Sequence, residues 1–128
     1  MPIDRKIFYH DTDSGGVVYY ANYLKYLEEA RTQWLEDRGL GIQPFLDRGL
    51  LYAVRSCNIS YLSPARYGDV ISCDAQLEKI TGVQLFFKQK VWDKSSGRAI
   101  AQADVTLVCL GRDFKPHAIP ADMKEKLR

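Results

Sequence analysis

The stretch that decides the fold is residues 20–38, YANYLKYLEEARTQWLEDR. Apolar side chains recur through it at spacings of three and four residues, and charged or amide side chains fill the other side. The apolar set is Tyr23, Leu24, Leu27, Ala30, Trp34 and Leu35. This spacing predicts one long amphipathic helix, from Tyr20 to Arg38, that buries a single face. Gly39 and Gly41 follow directly and are expected to end the helix.

The residues after Pro44 have the patterns of β-strands. From Ile71 to Glu78 apolar and polar residues alternate, which is the period of a strand with one face in water. Further strands are predicted at Leu51–Leu62, Val83–Trp92 and Ala99–Leu110, with a short one before the helix at Lys6–His10. The turn-forming segment DKSSGR joins the last two long strands, so we expect a hairpin there.

The order of these elements predicts the fold class. Four strands follow the helix with no second helix between them to make a parallel crossover. Such an order gives an antiparallel sheet, so we expect one α+β domain over residues 1–128. In it, one long helix is expected to lie on a five-stranded antiparallel sheet. The tail from Arg112 onward contains Pro116 and Pro120 and is expected to end in a frayed turn.

Composition and charge exclude several classes of protein. The net charge is +2 with mixed signs, so there is no basic tract for nucleic acid. Charges interrupt the first six residues and the apolar runs are too short to span a bilayer, which favours a cytoplasmic protein without membrane insertion. Cys57, Cys73 and Cys109 are odd in number and widely spaced, which predicts buried, reduced thiols. No metal site or cofactor is expected.

The loop before the helix, DTDSGG at residues 11–16, raises the question of a nucleophilic serine, because DSGG also occurs around the serine of chymotrypsin-like proteases. A serine nucleophile needs a base within hydrogen-bond reach and a third group that orients that base. The chain has two histidines. His10 is four residues from Ser14, and His117 lies in the tail without an obvious partner. Ser14 is therefore predicted to be a structural loop residue.

The same loop places a carboxylate beside the N-terminus of the helix. Such an end presents unpaired backbone N–H groups and a partial positive charge, so it can polarise a carbonyl oxygen. Gly15 and Gly16 allow the backbone to bend and approach a ligand. Asp13 beside such donors suits acyl-group hydrolysis, with the carboxylate as base or nucleophile. Asp11 is interpreted as a turn former, so Asp11→Asn is predicted to have only a mild effect on kcat.

The string DTDSGGVVYYANYL, residues 11–24, followed by LEEAR, closely resembles the signature of the hotdog-fold acyl-CoA thioesterases. That family includes 4-hydroxybenzoyl-CoA thioesterase and the Tol-Pal-associated YbgC type. The order of elements is similar over nearly the whole chain. The resemblance implies a hotdog fold, in which the five-stranded antiparallel sheet wraps around one long central helix, and hydrolysis of an acyl-CoA thioester to a carboxylic acid and CoA. It also implies a homodimer or homotetramer whose site closes between two subunits.

The resemblance implies roles for single residues as well. Asp13 corresponds to the catalytic carboxylate, as nucleophile or general base, and the N–H of Tyr20 to the donor that polarises the thioester carbonyl. Ser14 falls where the family has a small residue without a chemical role. The implied substrate contacts are Gly15, Gly16, Val17 and Asn22. The YbgC branch usually has histidine in place of Tyr20 and the hydroxybenzoyl branch has tyrosine, which favours an aromatic or bulky acyl group.

Other functions and details stay open at this stage. The phosphates of CoA require cations, and the candidates are Arg66, Lys88, Lys90 and Arg98. A non-catalytic hotdog protein that binds acyl groups or serves as a scaffold is one alternative, which the intact Asp13 disfavours. A hotdog hydratase or dehydratase is another, but it would rely on a histidine, and only His10 lies near the loop. The sequence does not specify the acyl group or its carrier, CoA or acyl carrier protein.

Overall fold

The computed structural model describes residues 2–128 and shows a six-stranded sheet with one long helix. The helices are α1 (Asn22–Glu36), α2 (Ile42–Asp47) and α3 (Ala121–Leu127). The strands are β1 (Ile3–Lys6), β2 (Leu51–Tyr61), β3 (Val70–Cys73), β4 (Gln76–Ile80), β5 (Gln84–Asp93) and β6 (Ala99–Leu110). The strand order is β1-β3-β5-β6-β2, with β4 also paired to β5, and every pair is antiparallel. The predicted α+β class, an antiparallel sheet with a central helix, is confirmed.

Helix α1 buries the face that the sequence pattern predicts. Its buried apolar side chains are Tyr23, Tyr26, Leu27, Ala30 and Leu35. Each contributes roughly 1.5–3 kcal/mol through burial, apart from the smaller Ala30. The helix is shorter at both ends than the predicted Tyr20–Arg38. It ends at Glu36, and the chain then turns at Gly39, whose φ is 74°, where the N–H of Leu40 bonds the carbonyl of Leu35 at 2.8 Å.

Strands β3 and β4 are the two halves of the single strand predicted at Ile71–Glu78. Both pair with β5, and the break lies at Asp74 and Ala75. The N–H of Lys90 donates to the Asp74 carboxylate at 2.7 Å, so a side chain replaces the backbone carbonyl of a regular ladder. The carbonyl of Asp74 accepts instead from the amide of Gln89 at 3.0 Å. The five predicted strands are thus present, and the sheet has six because one predicted strand is divided into β3 and β4.

The segment before the loop differs from the predicted strand at Lys6–His10. Strand β1 ends at Lys6, and Tyr9–Asp11 forms one turn of 3₁₀-helix. The Asp11 carboxylate accepts the backbone N–H of Phe8 at 2.8 Å and so caps this turn. The chain therefore leaves the sheet before the loop instead of continuing along it.

Helices α2 and α3 were not predicted from the sequence. In α2, Pro44 occupies the first turn, where a missing N–H is tolerated. Its Phe45 is buried, and the ring centroid lies 4.0 Å from that of Tyr52. Helix α3 replaces the predicted frayed turn and buries Met123 and Leu127. Both helices are too short for a helical period to show in the sequence.

Strand β2 lies at one edge of the sheet and is exposed along most of its length. The expectation of three buried thiols is therefore wrong for Cys57, which lies on this strand and is exposed. Cys73 and Cys109 are buried, and all three cysteines are free. Within residues 2–128, no helix combines the length and the apolar character needed to cross a bilayer.

Candidate active site

The loop before α1 closes on itself as a small hairpin. Thr12 pairs with Val18, and the N–H of Asp13 donates to the carbonyl of Val17 at 2.9 Å. The N–H of Gly16 returns to the carbonyl of Asp13 at 3.1 Å. Gly16 has a φ of 79°, a conformation that strains any residue with a Cβ. The sequence GG therefore provides the turn that holds Asp13 in place.

The Asp13 carboxylate is exposed and accepts one hydrogen bond within residues 2–128. The donor is the backbone N–H of Gly15, at 2.8 Å from Oδ1. A Cβ on Gly15 would lie 3.1 Å from the same oxygen, so a larger residue there would press on the carboxylate. The other oxygen, Oδ2, has no partner in the described part of the chain. Asp13 thus keeps one carboxylate oxygen available for chemistry.

The unpaired donors at the start of α1 lie just before its first residue. The N–H groups of Asn22, Tyr23 and Leu24 already bond carbonyls three residues earlier, at 2.9, 3.3 and 3.2 Å. Those of Tyr20 and Ala21 make no hydrogen bond to any residue from 2 to 128. The helix N-terminus therefore offers two free N–H donors, and one belongs to the predicted Tyr20.

Asp11, unlike Asp13, is buried and anchors the loop to α1. Its carboxylate accepts the hydroxyl of Tyr26 at 2.8 Å as well as the Phe8 N–H, and it lies 3.6 Å from a guanidinium nitrogen of Arg5. Burial raises the pKa of Asp11, but these hydrogen bonds and the Arg5 charge outweigh it, so the pKa lies below its ordinary value. The sequence signal that could have revealed this anchor is Tyr26, a hydroxyl on the buried helix face that needs a partner.

The other predicted site residues occupy the same region. The side-chain amide of Asn22 donates to the carbonyl of Asp11 at 2.9 Å, so it holds the loop on the helix. Val17 pairs with Arg66, which brings that arginine beside the loop. Ser14 is an exposed turn residue. Within residues 2–128, no group of three or more histidine, cysteine or acidic side chains is placed to hold a metal ion.

Two clefts lie along the N-terminal half of α1. The tyrosine cleft, of about 320 Å³, is formed by Tyr20, Tyr23 and Tyr61 together with neighbouring residues. The α1–β2 cleft, of about 590 Å³, begins at Leu24, one helical turn beyond Tyr20. Its lining includes Leu24, Glu28, Arg31, Val54 and Cys57. Asp13 lines neither cleft, so it stands outside them, on the loop that leads into α1.

Proteins of similar sequence identify the family of this chain. Residues 9–127 match the family described as the thioesterase-like superfamily. The chain is 31% identical over 116 residues to the acyl-CoA thioester hydrolase YbgC of Escherichia coli O6:H1, covering 90% of this chain and 86% of that protein. It is 32% identical over 120 residues to the acyl-CoA thioesterase YbgC of Haemophilus influenzae, with coverages of 93% and 88%.

A solved structure supports the fold independently. A mutant 4-hydroxybenzoyl-CoA thioesterase complexed with 4-hydroxybenzoyl-CoA superposes with a TM-score of 0.91, at 23% identity, over 100% of this chain and 98% of that one. The hotdog fold and the family resemblance predicted from the loop sequence are both confirmed. Because the family match extends over residues 9–127 and the YbgC relatives are more than 30% identical, the chain belongs to the thioesterase-like superfamily.

Proposed function

We propose that this protein hydrolyses an acyl-CoA thioester to a free carboxylic acid and CoA. The observation that carries the proposal is the position of Asp13, an exposed carboxylate on the loop that leads to the free N–H groups of Tyr20 and Ala21. A base or nucleophile beside preorganised donors is the arrangement that acyl transfer requires. The activities named for the YbgC relatives support CoA as the carrier.

In the proposed reaction the thioester carbonyl accepts a hydrogen bond from the Tyr20 N–H. Asp13 either attacks the carbonyl carbon or removes a proton from an attacking water. The oxyanion that forms is stabilised by the same N–H and by the positive end of α1. Collapse breaks the carbon–sulfur bond and releases the CoA thiolate, which takes up a proton. In the nucleophilic route, water then hydrolyses the mixed anhydride on Asp13.

The surroundings of the loop support particular contacts for CoA and for the acyl group. Arg66 is the candidate cation that lies beside the loop. Lys88 lies 3.7 Å from Glu78, and Arg98 donates to Ser63 and to the carbonyl of Pro64. We therefore favour Arg66 as the phosphate contact. The aromatic walls of the tyrosine cleft would pack against the part of the acyl group next to the thioester, which agrees with the proposed aromatic or bulky acyl group.

The proposed hydrolysis is tested with a panel of benzoyl, 4-hydroxybenzoyl and aliphatic acyl-CoAs, each also supplied on acyl carrier protein. Release of the free thiol is followed with a thiol reagent. We expect at least one acyl-CoA to be turned over with kcat/KM on the order of 10⁴ M⁻¹ s⁻¹ or more. Binding of these thioesters without thiol release would instead support a non-catalytic acyl-binding or scaffold protein.

We also propose that the working assembly is a homodimer or homotetramer in the cytoplasm. The open edge of β2, with exposed Val54 and Tyr61, is the kind of edge that a second copy covers. The free cysteines fit a reducing compartment. Light scattering at micromolar concentration is expected to give at least twice the chain mass of 14.6 kDa. A monomer under those conditions would contradict this part of the proposal.

A further inference from the structure

Arg31 is a buried cation whose one protein partner is neutral. The residue is 6% exposed, and its Nη1 donates to the side-chain oxygen of Gln89 at 3.0 Å. Gln89 is fixed in turn, because its amide nitrogen donates to the carbonyls of Leu27 and Asp74 at 2.9 and 3.0 Å. No ion pair within residues 2–128 includes Arg31. The guanidinium is therefore positioned by its neighbours but not neutralised by a contacting carboxylate.

Arg31 lines the α1–β2 cleft and also a smaller adjoining hollow, whose walls include Tyr52 and Leu107. A guanidinium carries several donors in a planar fork, and a single hydrogen bond leaves most of them free. Within residues 2–128 the enclosed side-chain nitrogens and oxygens without a partner are Arg5 Nε and Tyr52 Oη. Because no nitrogen of Arg31 is among them, its unbonded N–H groups reach open space, and Arg31 lines the cleft.

The cleft begins at Leu24, one helical turn beyond the free donor at Tyr20, and reaches Arg31 along one stripe of α1. Tyr20, Leu24, Glu28 and Arg31 follow each other at spacings of four, four and three residues, so they share a face. The rise from Tyr20 to Arg31 is about 16 Å along the helix axis. Helical side chains lean towards the N-terminus, so the long arginine side chain shortens the gap. An extended acyl group held at Tyr20 is therefore directed towards the guanidinium.

Two cations and two carboxylates line the cleft, but one of the carboxylates is engaged outside it. Glu29 is paired at 2.9 Å with Arg5, a guanidinium that it shares with the buried Asp11 carboxylate at 3.6 Å. Lys25 and Arg31 then face a single carboxylate, that of Glu28, which accepts the hydroxyl of Thr32 at 3.1 Å. The other walls are mainly apolar, from Leu24, Val54 and Val105. A complementary ligand has an apolar body and an acidic end.

We propose that the α1–β2 cleft receives the far end of the acyl group, and that Arg31 selects acyl groups ending in a carboxylate, the ω-carboxyacyl thioesters. This inference rests on the proposed thioesterase function. A planar guanidinium binds a carboxylate through two charge-assisted hydrogen bonds. A buried donor also rejects an analogue that leaves it unpaired, so Arg31 is a specificity residue rather than a catalytic one.

The test compares thioesters of equal length that differ at the far end, suberyl-CoA with octanoyl-CoA and adipyl-CoA with hexanoyl-CoA. We expect the parent to prefer the ω-carboxyacyl member of at least one pair by about tenfold or more in kcat/KM. Arg31→Met should abolish this preference, and Arg31→Lys should restore part of it. The matched control Lys126→Met removes an exposed cation of α3, outside the cleft, and should keep the preference within about twofold.

A binding measurement separates this inference from the proposed hydrolysis. By calorimetry, free suberate should bind the parent more tightly than octanoate, and Arg31→Met should lose that difference. If the parent hydrolyses no thioester, the proposed function fails while suberate binding still tests the cleft. The inference is overturned if the parent protein prefers neither the ω-carboxyacyl thioesters in kcat/KM nor suberate in binding, and this result does not depend on whether Arg31→Met folds. An unchanged preference in a folded Arg31→Met also overturns it, and a change in light-scattering mass would then assign Arg31 to subunit contact.

Discussion

We expect Asp13→Asn to lower kcat by about a hundredfold or more while the protein keeps its fold. The amide has nearly the shape of the carboxylate, but it cannot take up a proton or form a mixed anhydride. Its oxygen can still accept the N–H of Gly15, and the site is exposed, so stability should change little. The N–H groups of Tyr20 and Ala21 are untouched, so KM should move far less than kcat. Steady-state kinetics on the best acyl-CoA of the panel measures both.

Two variants serve as controls for Asp13→Asn. Asp113 is also exposed, and its carboxylate also accepts the N–H of the residue two positions ahead, at 3.1 Å. It follows β6 at the end of the sheet that is far from Tyr61 and the candidate site. Asp113→Asn therefore makes the same chemical change in the same kind of turn, away from the site. Ser14→Ala should stay within about threefold of the parent rate. Near-parental kcat for Asp13→Asn, or a loss of about a thousandfold for Ser14→Ala, would refute the assignment.

The elements that could be predicted from the sequence have long, uninterrupted periods. Strand β6 has the predicted bounds, and α1 buries the predicted face. The break between β3 and β4 could not be predicted, because it depends on the Asp74 side chain bonding a backbone N–H of β5. Periodicity describes which side chains face the core and does not report which side chains replace a backbone partner.

In the candidate site, too, residues close in sequence could be predicted, and contacts between distant residues could not. Asp13, the glycine turn and Tyr20 are adjacent in sequence, so the motif alone placed them at the start of α1. Asp11 and Asp13 flank a single threonine, and only the family motif distinguishes them in sequence. What separates them is contact with Arg5 and Tyr26, residues of β1 and α1 that only the folded chain brings together. The mild effect of Asp11→Asn on kcat stays a prediction from the sequence, whereas the buried contacts of Asp11 lead to a separate expectation for stability.

We expect Asp11→Asn to reduce the free energy of unfolding by roughly 2–4 kcal/mol, because it weakens charge-assisted hydrogen bonds in a buried site. The carboxylate accepts from the Phe8 N–H and the Tyr26 hydroxyl, both at 2.8 Å, and an amide offers only one acceptor oxygen. Its NH₂ group would face a donor and the Arg5 charge. Urea unfolding of the parent and the variant at neutral pH measures the difference, with Asp113→Asn expected within about 0.5 kcal/mol of the parent.

The pH dependence identifies the carboxylate charge as the cause of this difference. The pKa of Asp11 is lower in the folded protein than its ordinary value of 3.8, so its ionised form favours folding. That contribution is fully present above the ordinary pKa and is lost as the pH falls below it, through the folded value. The parent should therefore lose its advantage over Asp11→Asn in acid, because the amide does not titrate. Equal stabilities at neutral pH, or an advantage that grows as the pH falls, would show that Asp11 does not anchor the loop through its charge.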